Sequence, residues 1–292
     1  MRFFPPKRVC SARTVYLTRP PPSRRAVGVS CGLPASVIPL SHRRLSKGTP
    51  MYLYVSFQTK DDYYRNGPQG RTKARLEAAS GERCLIVPYE EIDLRVVRQL
   101  SPSAIVMGGF GGYLAERKVS SFFGVDEVLH RADLPVLCIC GSHQILGWCF
   151  NTDLRRVKRF RDLAMRRLRP DEDVPRKPVG AQGVASCDLS GFLVADGFYP
   201  VFRRANDPLF RGLPQRMMLR CSHFCEVKKL PDGFDLLASS GHCRIEAMKR
   251  KGRPLYGVQF HPEYYEEPFF HGRTILENFA KLTGAFWKEK RQ

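Results

Sequence analysis

From Met51 onward, short apolar runs alternate with segments whose apolar residues recur at helical spacing. Tyr52 to Phe57 is aromatic and aliphatic throughout and predicts a strand; Thr72 to Ala79 predicts a helix. Cys84 to Pro88 predicts a second strand. Tyr89 to Leu100 reads as a helix with acids early (Glu90, Glu91, Asp93) and arginines late (Arg95, Arg98), which suits the helix dipole. Ala104 to Met107 predicts a third strand, Val119 to Arg131 a helix, and Pro135 to Ile139 a fourth strand. Ser142 to Phe150 is helical, with Ile145, Leu146 and Cys149 on one side. Alternation of this kind implies a parallel sheet covered on both faces.

Asp153 to Arg169 is predicted as a basic amphipathic helix. Leu154, Val157, Phe160, Ala164 and Leu168 form its apolar stripe, flanked by arginines and Lys158. A docked helix with a solvated face is the plain reading, and a docking face for an acidic partner or phosphorylated acceptor the sharper one. No interleaved aromatics accompany the charge, which argues against nucleic acid. Beyond Pro170 the runs shorten: Gly191–Val194, Val201–Arg203, Met217–Cys221, Phe234–Ser239, Arg244–Lys249 and Pro254–Phe260. Pro231-Asp-Gly and Gly252-Arg-Pro support hairpins, so this half predicts an antiparallel β extension, closed by a helix over Thr274 to Leu282.

Composition changes this picture mainly at the N-terminus. The chain has 292 residues and a formal charge of +20. Residues 1–50 hold ten Lys or Arg and no acid, which is half of that excess. This Pro/Arg/Ser-rich extension is open to three readings: a transit segment, a disordered basic tail, or sequence ahead of a true start at Met51. The prolines argue against the amphipathic helix of a transit segment, and the abrupt strand at Met51 favours the late start. Residues 51–292 would then be one domain, and none of its runs is long enough to span a membrane. The ten cysteines are scattered rather than set in a dense framework, which points to free thiols in a reducing, cytoplasmic setting. Cys221-Ser-His-Phe-Cys225, with His223 inside it, lacks a clear second ligand pair, so zinc is the weaker reading there. No metal or cofactor is expected.

Two stretches carry chemistry. Cys140 and Gly141 stand between the strand ending at Ile139 and the helix from Ser142, so a thiol sits at a sharp strand-to-helix turn. That is the logic of a nucleophile elbow, and the helix dipole favours thiolate there. Alone, this stretch is equally a buried core cysteine. Far downstream, Gly257-Val-Gln-Phe-His-Pro-Glu263 delivers His261 from a strand, with Glu263 two residues on. A thiol needs a base, and the base needs an acceptor that holds its tautomer; Cys140, His261 and Glu263 supply those roles. Cys138 is a rival nucleophile, but its place inside the strand suits packing.

These motifs resemble those of class I (triad) glutamine amidotransferases, whose elbow reads Gly-x-Cys-x-Gly-x-Gln and whose second motif reads His-Pro-Glu. Here Cys138 and Ser142 replace the elbow glycines. The local similarity is to the amidotransferase domain of GMP synthetases, through Ser222-His223 and Lys229 to Glu263, and the resemblance spans about Ala104 to Gly284. It implies a flavodoxin-like, three-layer α/β fold, with a mainly parallel sheet and an antiparallel extension. It also implies glutamine hydrolysis through a Cys140 thioester, with His261 and Glu263 completing the triad. Gly109 and Gly141 N–H groups would form the oxyanion hole, the loop Gly108-Gly-Phe-Gly-Gly112 carrying Phe110 where the family has proline. Gln144, Ser222 and His223 would hold the substrate. No ATP-pyrophosphatase-like loop follows Glu263, so ammonia is expected to pass to a separate synthase subunit. One alternative is a γ-glutamyl hydrolase using the same triad. Another is a non-catalytic regulatory protein of the same fold, motivated by the replaced glycines and proline.

Overall fold

The computed structural model describes residues 50–66, 69–172 and 191–292. The basic extension, Pro50 apart, therefore lies outside the described residues, as does Cys187. Nine strands form one sheet: β1 (Met51–Ser56), β2 (Arg83–Pro88), β3 (Ala104–Met107), β4 (Val136–Ile139), β5 (Ala195–Arg203), β6 (Arg216–His223), β7 (Phe234–Ser239), β8 (Ala247–Arg250) and β9 (Leu255–Val258). Their order is β2-β1-β3-β4-β9-β8-β7-β5-β6. The pairs from β2 to β9 are parallel. From β9 outward every pair is antiparallel. The antiparallel extension is thus a continuation of the same sheet.

Among the described residues six helices accompany it: α1 (Lys60–Asn66), α2 (Gly70–Ser80), α3 (Leu94–Leu100), α4 (Phe123–Arg131), α5 (Gly141–Asn151) and α6 (His271–Glu289). In β1, Tyr52 and Tyr54 join one buried cluster with Leu76 of α2 and Phe279 of α6. The alternate residues Leu53 and Val55 join a second cluster with Val97 of α3, Val125 of α4 and Ile145 of α5. Successive side chains of a strand point to opposite faces. Because both faces are covered, both sets are apolar, which is why these strands read as unbroken hydrophobic runs.

Several expectations are corrected. Tyr89 to Leu100 is not one helix: a 3₁₀ turn at Tyr89–Glu91 is followed by extended Ile92. Asp93 then caps α3, its carboxylate accepting from Val96 N at 2.8 Å. Val119–Phe122 is likewise a 3₁₀ turn ahead of α4. The strand expected at 191–194 is only an isolated bridge, at Phe192. The run at 201–203 is the end of β5, which starts at Ala195. Pro231-Asp-Gly is a turn into β7 (Phe234 N to Pro231 O, 3.1 Å), not a hairpin.

The largest correction is the basic helix. Residues 153–169 hold one 3₁₀ turn, Leu154–Arg156, and are otherwise irregular. Leu154, Phe160 and Met165 are the buried anchors, and in a helix Phe160 would stand on a different face from the other two. Backbone pairing with the strand end won instead: Met165 N donates to Phe224 O at 2.9 Å and Glu226 N to Leu163 O at 3.0 Å. A helix would also have stacked like charges, such as Arg155 and Arg159, four apart. Among the described residues, no helix is long and apolar enough to cross a membrane.

Candidate active site

β3, β4 and β9 are parallel neighbours, so their C-terminal ends emerge side by side, delivering Gly108-Gly109, Cys140 and the Gln259–Glu263 segment to one place. Open α/β sheets place their sites at such ends. Cys140 has φ +53° and ψ −104°, a region that L-residues avoid and that stores strain. Its N–H donates to Val258 O at 2.7 Å, which ties the elbow to β9. The thiol is 5 % exposed.

His261 sits beside the thiol: the small space next to Gly109 is bounded by His261 Cε1 on one side and by Cys140 Cβ and Sγ on the other. Its Nδ1 lies 2.7 Å from Glu263 Oε1, with both side chains buried. The ring stacks on Tyr264 at 4.8 Å between centroids, and its backbone N–H donates to Arg220 O at 2.7 Å. Burial pulls the imidazole pKa down, but the charges of Cys140 and Glu263 outweigh it and push it up to about 10. The arrangement therefore favours imidazolium beside sulfur, with Glu263 fixing the ring. Chemically, a thiol, an imidazole and a carboxylate so arranged can supply a nucleophile, a proton carrier and an orienting acceptor.

Gly109 packs against the pair. A Cβ there would lie 3.1 Å from His261 Cε1 and 3.3 Å from Cys140 Cβ, so glycine is what lets this backbone approach the thiol. Gly141 is the first residue of α5, where N–H groups have no intrahelical acceptor. A Cβ on Gly141 would collide with the Phe110 ring at 2.3 Å. Phe110 itself stacks on Phe57 at 6.4 Å, so an aromatic contact braces the loop where a proline would have stiffened it.

The replaced elbow glycines have separate fates. Cys138 is fully buried in the cluster on the opposite sheet face from Cys140, and burial pushes its thiol far up. Ser142 is also fully buried. Its hydroxyl accepts from Ile139 N at 2.7 Å and donates to Met107 O at 2.7 Å, with Ile139 O as a second acceptor at 3.0 Å. Ile139 N–H and Met107 C=O are the groups the next rung of the β3–β4 ladder would join. The hydroxyl bridges that rung where the two strands part.

The substrate-contact candidates divide in the same way. Gln144, Ser222 and His223 line a small pocket with Cys140, Gly141 and Phe110. Gln144 Nε2 donates to Cys225 O at 3.0 Å. Ser222 presents its carbonyl to Cys140 Sγ at 3.8 Å. His223 is buried with Nδ1 on Cys225 O at 3.1 Å, and burial lowers its pKa to about 4. Sequence reasoning missed Gln259, whose Nε2 donates to Cys140 Sγ at 3.7 Å and whose Oε1 lies 3.5 Å from Gln144 Nε2. The available signal was a polar residue inside the apolar run Leu255 to Phe260. It also missed Asp162, a pocket-lining residue whose carboxylate accepts from Leu114 N and Ala115 N.

Comparison with known proteins shows the family. The sequence model of "Glutamine amidotransferase class-I" matches residues 74–282. The glutamine-hydrolyzing GMP synthase subunit of Thermococcus kodakarensis is 53% identical over 204 residues, covering 70% of this chain and 87% of that protein. The protein of the same name from Methanothermobacter thermautotrophicus is 31% identical over 192 residues, covering 66% and 78%. The crystal structure of a protein described as a GMP synthase subunit, from Thermoplasma acidophilum, shares the fold. Its TM-score is 0.61 at 21% identity, with coverage of 84% of this chain and 98% of that one. The chain belongs to the class I glutamine amidotransferase family.

Proposed function

We propose that this chain is the glutamine-hydrolysing subunit of a two-subunit GMP synthase. It would split the side-chain amide of glutamine and pass the ammonia to a separate synthase subunit. The observation that carries the chemistry is Cys140 at φ +53°, set beside His261, which is held in turn by Glu263. The two-subunit arrangement is supported by the relatives, whose names mark each of them as one subunit of its synthase.

In this reading the Cys140 thiolate attacks the amide carbon, forming a C–S bond, while N–H groups of Gly109 and Gly141 receive the oxyanion. The C–N bond then breaks, and His261 protonates the departing ammonia. His261 next takes a proton from water as it attacks the thioester; glutamate leaves and the thiol is restored. Glu263 keeps the ring oriented and stabilises imidazolium through both halves. Gln144 and the Ser222-His223 strand end hold the amino-acid part of glutamine.

The experiment is glutamate release by the purified chain, alone and with the synthase subunit of a related two-subunit GMP synthase. The proposal expects glutaminase activity that is abolished in Cys140→Ala and increased by the partner in the presence of its nucleotide substrates. Hydrolysis of γ-glutamyl peptides in preference to glutamine, with no response to the partner, would overturn it.

A further inference from the structure

Behind the strand end that faces Cys140 lies a second group of chemistry-bearing side chains. Cys221 and His223 are the flanks of Ser222 at the end of β6. His242 and Glu246 come from the 240–246 segment between β7 and β8. Their donor atoms all lie within 4.8 Å of one another. Cys221 and Glu246 are 0 % exposed and His223 4 %. The His242 side chain is 11 % exposed.

The hydrogen bonding of this cluster is incomplete. His223 Nε2, His242 Nε2 and both carboxylate oxygens of Glu246 are buried without a hydrogen-bond partner. His242 Nε2 is 3.2 Å from Glu246 Oε1, near enough for charge attraction but not aligned as a hydrogen bond. A fully buried carboxylate with neither oxygen satisfied costs several kcal/mol, on the order of the penalty for any unpaired buried ion. By contrast, the other ring nitrogen of His223 is occupied: Nδ1 faces Cys225 O at 3.1 Å. A carbonyl there makes Nδ1 the protonated nitrogen and leaves the Nε2 lone pair aimed into the cluster, the usual outer arrangement of a metal-bound imidazole.

We propose that Cys221, His223, His242 and Glu246 form a closed, tetrahedral zinc site. The donor set is one thiolate, two imidazoles and one carboxylate, which suits Zn²⁺; calcium and magnesium prefer all-oxygen shells. Four protein donors leave no open position, so the ion is structural. Thiolate and carboxylate together neutralise the dication, and binding displaces the Cys221 thiol proton to solvent. Bonds of about 2.0–2.3 Å place tetrahedral donors roughly 3.3–3.8 Å apart, so the present spacing of up to 4.8 Å closes by about 1.5 Å at most. The second ligand pair lies in a segment well separated along the chain, which is why Cys221-Ser-His-Phe-Cys225 alone did not reveal it. Cys225 is not among the four donors.

The ion would clamp the end of β6 to the segment leading into β8. Ser222 lies between two of the ligands, and its carbonyl is the one beside Cys140 Sγ. The site therefore positions one wall of the pocket around the thiol. The His223 ring, committed to the ion, reaches glutamine only through its backbone.

The test uses the full chain, stripped with chelator and titrated with Zn²⁺ alone, with Co²⁺ as a spectroscopic probe. The expected result is one zinc per chain, a rise in Tm on zinc addition, and a thiolate-to-cobalt charge-transfer band. Cys221→Ser abolishes that band, and His242→Ala, at the rim, weakens zinc binding by at least about 100-fold. Both variants melt near the temperature of metal-free wild type, and Cys225→Ser still binds one zinc. No stoichiometric zinc in wild type would overturn the proposal, as would affinity unchanged in both His242→Ala and Cys221→Ser. Metal binding is read here without activity, so its failure leaves the glutaminase proposal standing.

Discussion

Replacing Ser142 by alanine tests how the elbow is built. The hydroxyl is fully buried, accepts from Ile139 N and donates to Met107 O, both at 2.7 Å. Alanine removes the acceptor and admits no water, so the Ile139 N–H remains buried and unsatisfied. Such a loss costs about 1–3 kcal/mol. For a domain of this size that lowers Tm by roughly 2–12 °C. Ile139 immediately precedes Cys140 and Met107 precedes Gly108-Gly109, so the loss also loosens the thiol relative to the glycine loop. Glutaminase assays should therefore show a fall in kcat larger than any change in KM, because the ground-state contacts to glutamine are not touched. Ser142→Gly, which restores the family's usual residue, should be at least as destabilising, since it adds a helix penalty of about 1 kcal/mol. Thermal melts and steady-state kinetics of both variants decide it. A Ser142→Ala protein as stable as wild type, within about 0.5 kcal/mol, would refute the bridging role.

Glu263→Gln removes the charge that holds His261 at 2.7 Å; kcat should fall by about two to four orders of magnitude with the fold retained. The His261 pKa, about 10 in the intact site, should fall in Cys140→Ala, because burial then meets only the Glu263 charge; an NMR titration of His261 reads this directly. The linked stability follows the raised-pKa case: the contribution of His261 is whole below about pH 6.5 and is lost as pH rises through about 10. Urea melts between those limits should show wild type losing more of this contribution than His261→Ala, which has none to lose. Gly257→Ala would put a Cβ 2.5 Å from His143 Nδ1 and 2.9 Å from Leu146 Cδ2; pushing α5 off β9 should lower Tm and activity together.

How much of this was legible depended on whether the determining contacts were local. Ala104–Met107 and Phe234–Ser239 appear with the bounds their apolar runs suggest. Cys140 and His261 were readable because each sits at a junction of strand and loop marked by its neighbours. The 153–169 segment misled because its apolar spacing mimics a helix. Its real anchors, the backbone of Phe224 and Glu226, lie some sixty residues away and are invisible to a periodicity argument. The same reason hid Gln259 as a partner of the thiol, and hid His242 and Glu246 as neighbours of Cys221. Ser142 was legible as a departure from the family's glycine but not as a bridge, since its acceptor Met107 belongs to another strand.

The most direct measurement is covalent labelling of the chain with a glutamine-like electrophile, mapped by mass spectrometry, with Cys140→Ala as control. The account predicts one modified residue, Cys140, protected by glutamine, with the other thiols unmodified; the six other described cysteines are all buried. Labelling spread over several cysteines, or labelling of Cys140 that glutamine does not slow, would contradict the assignment of this pocket to glutamine.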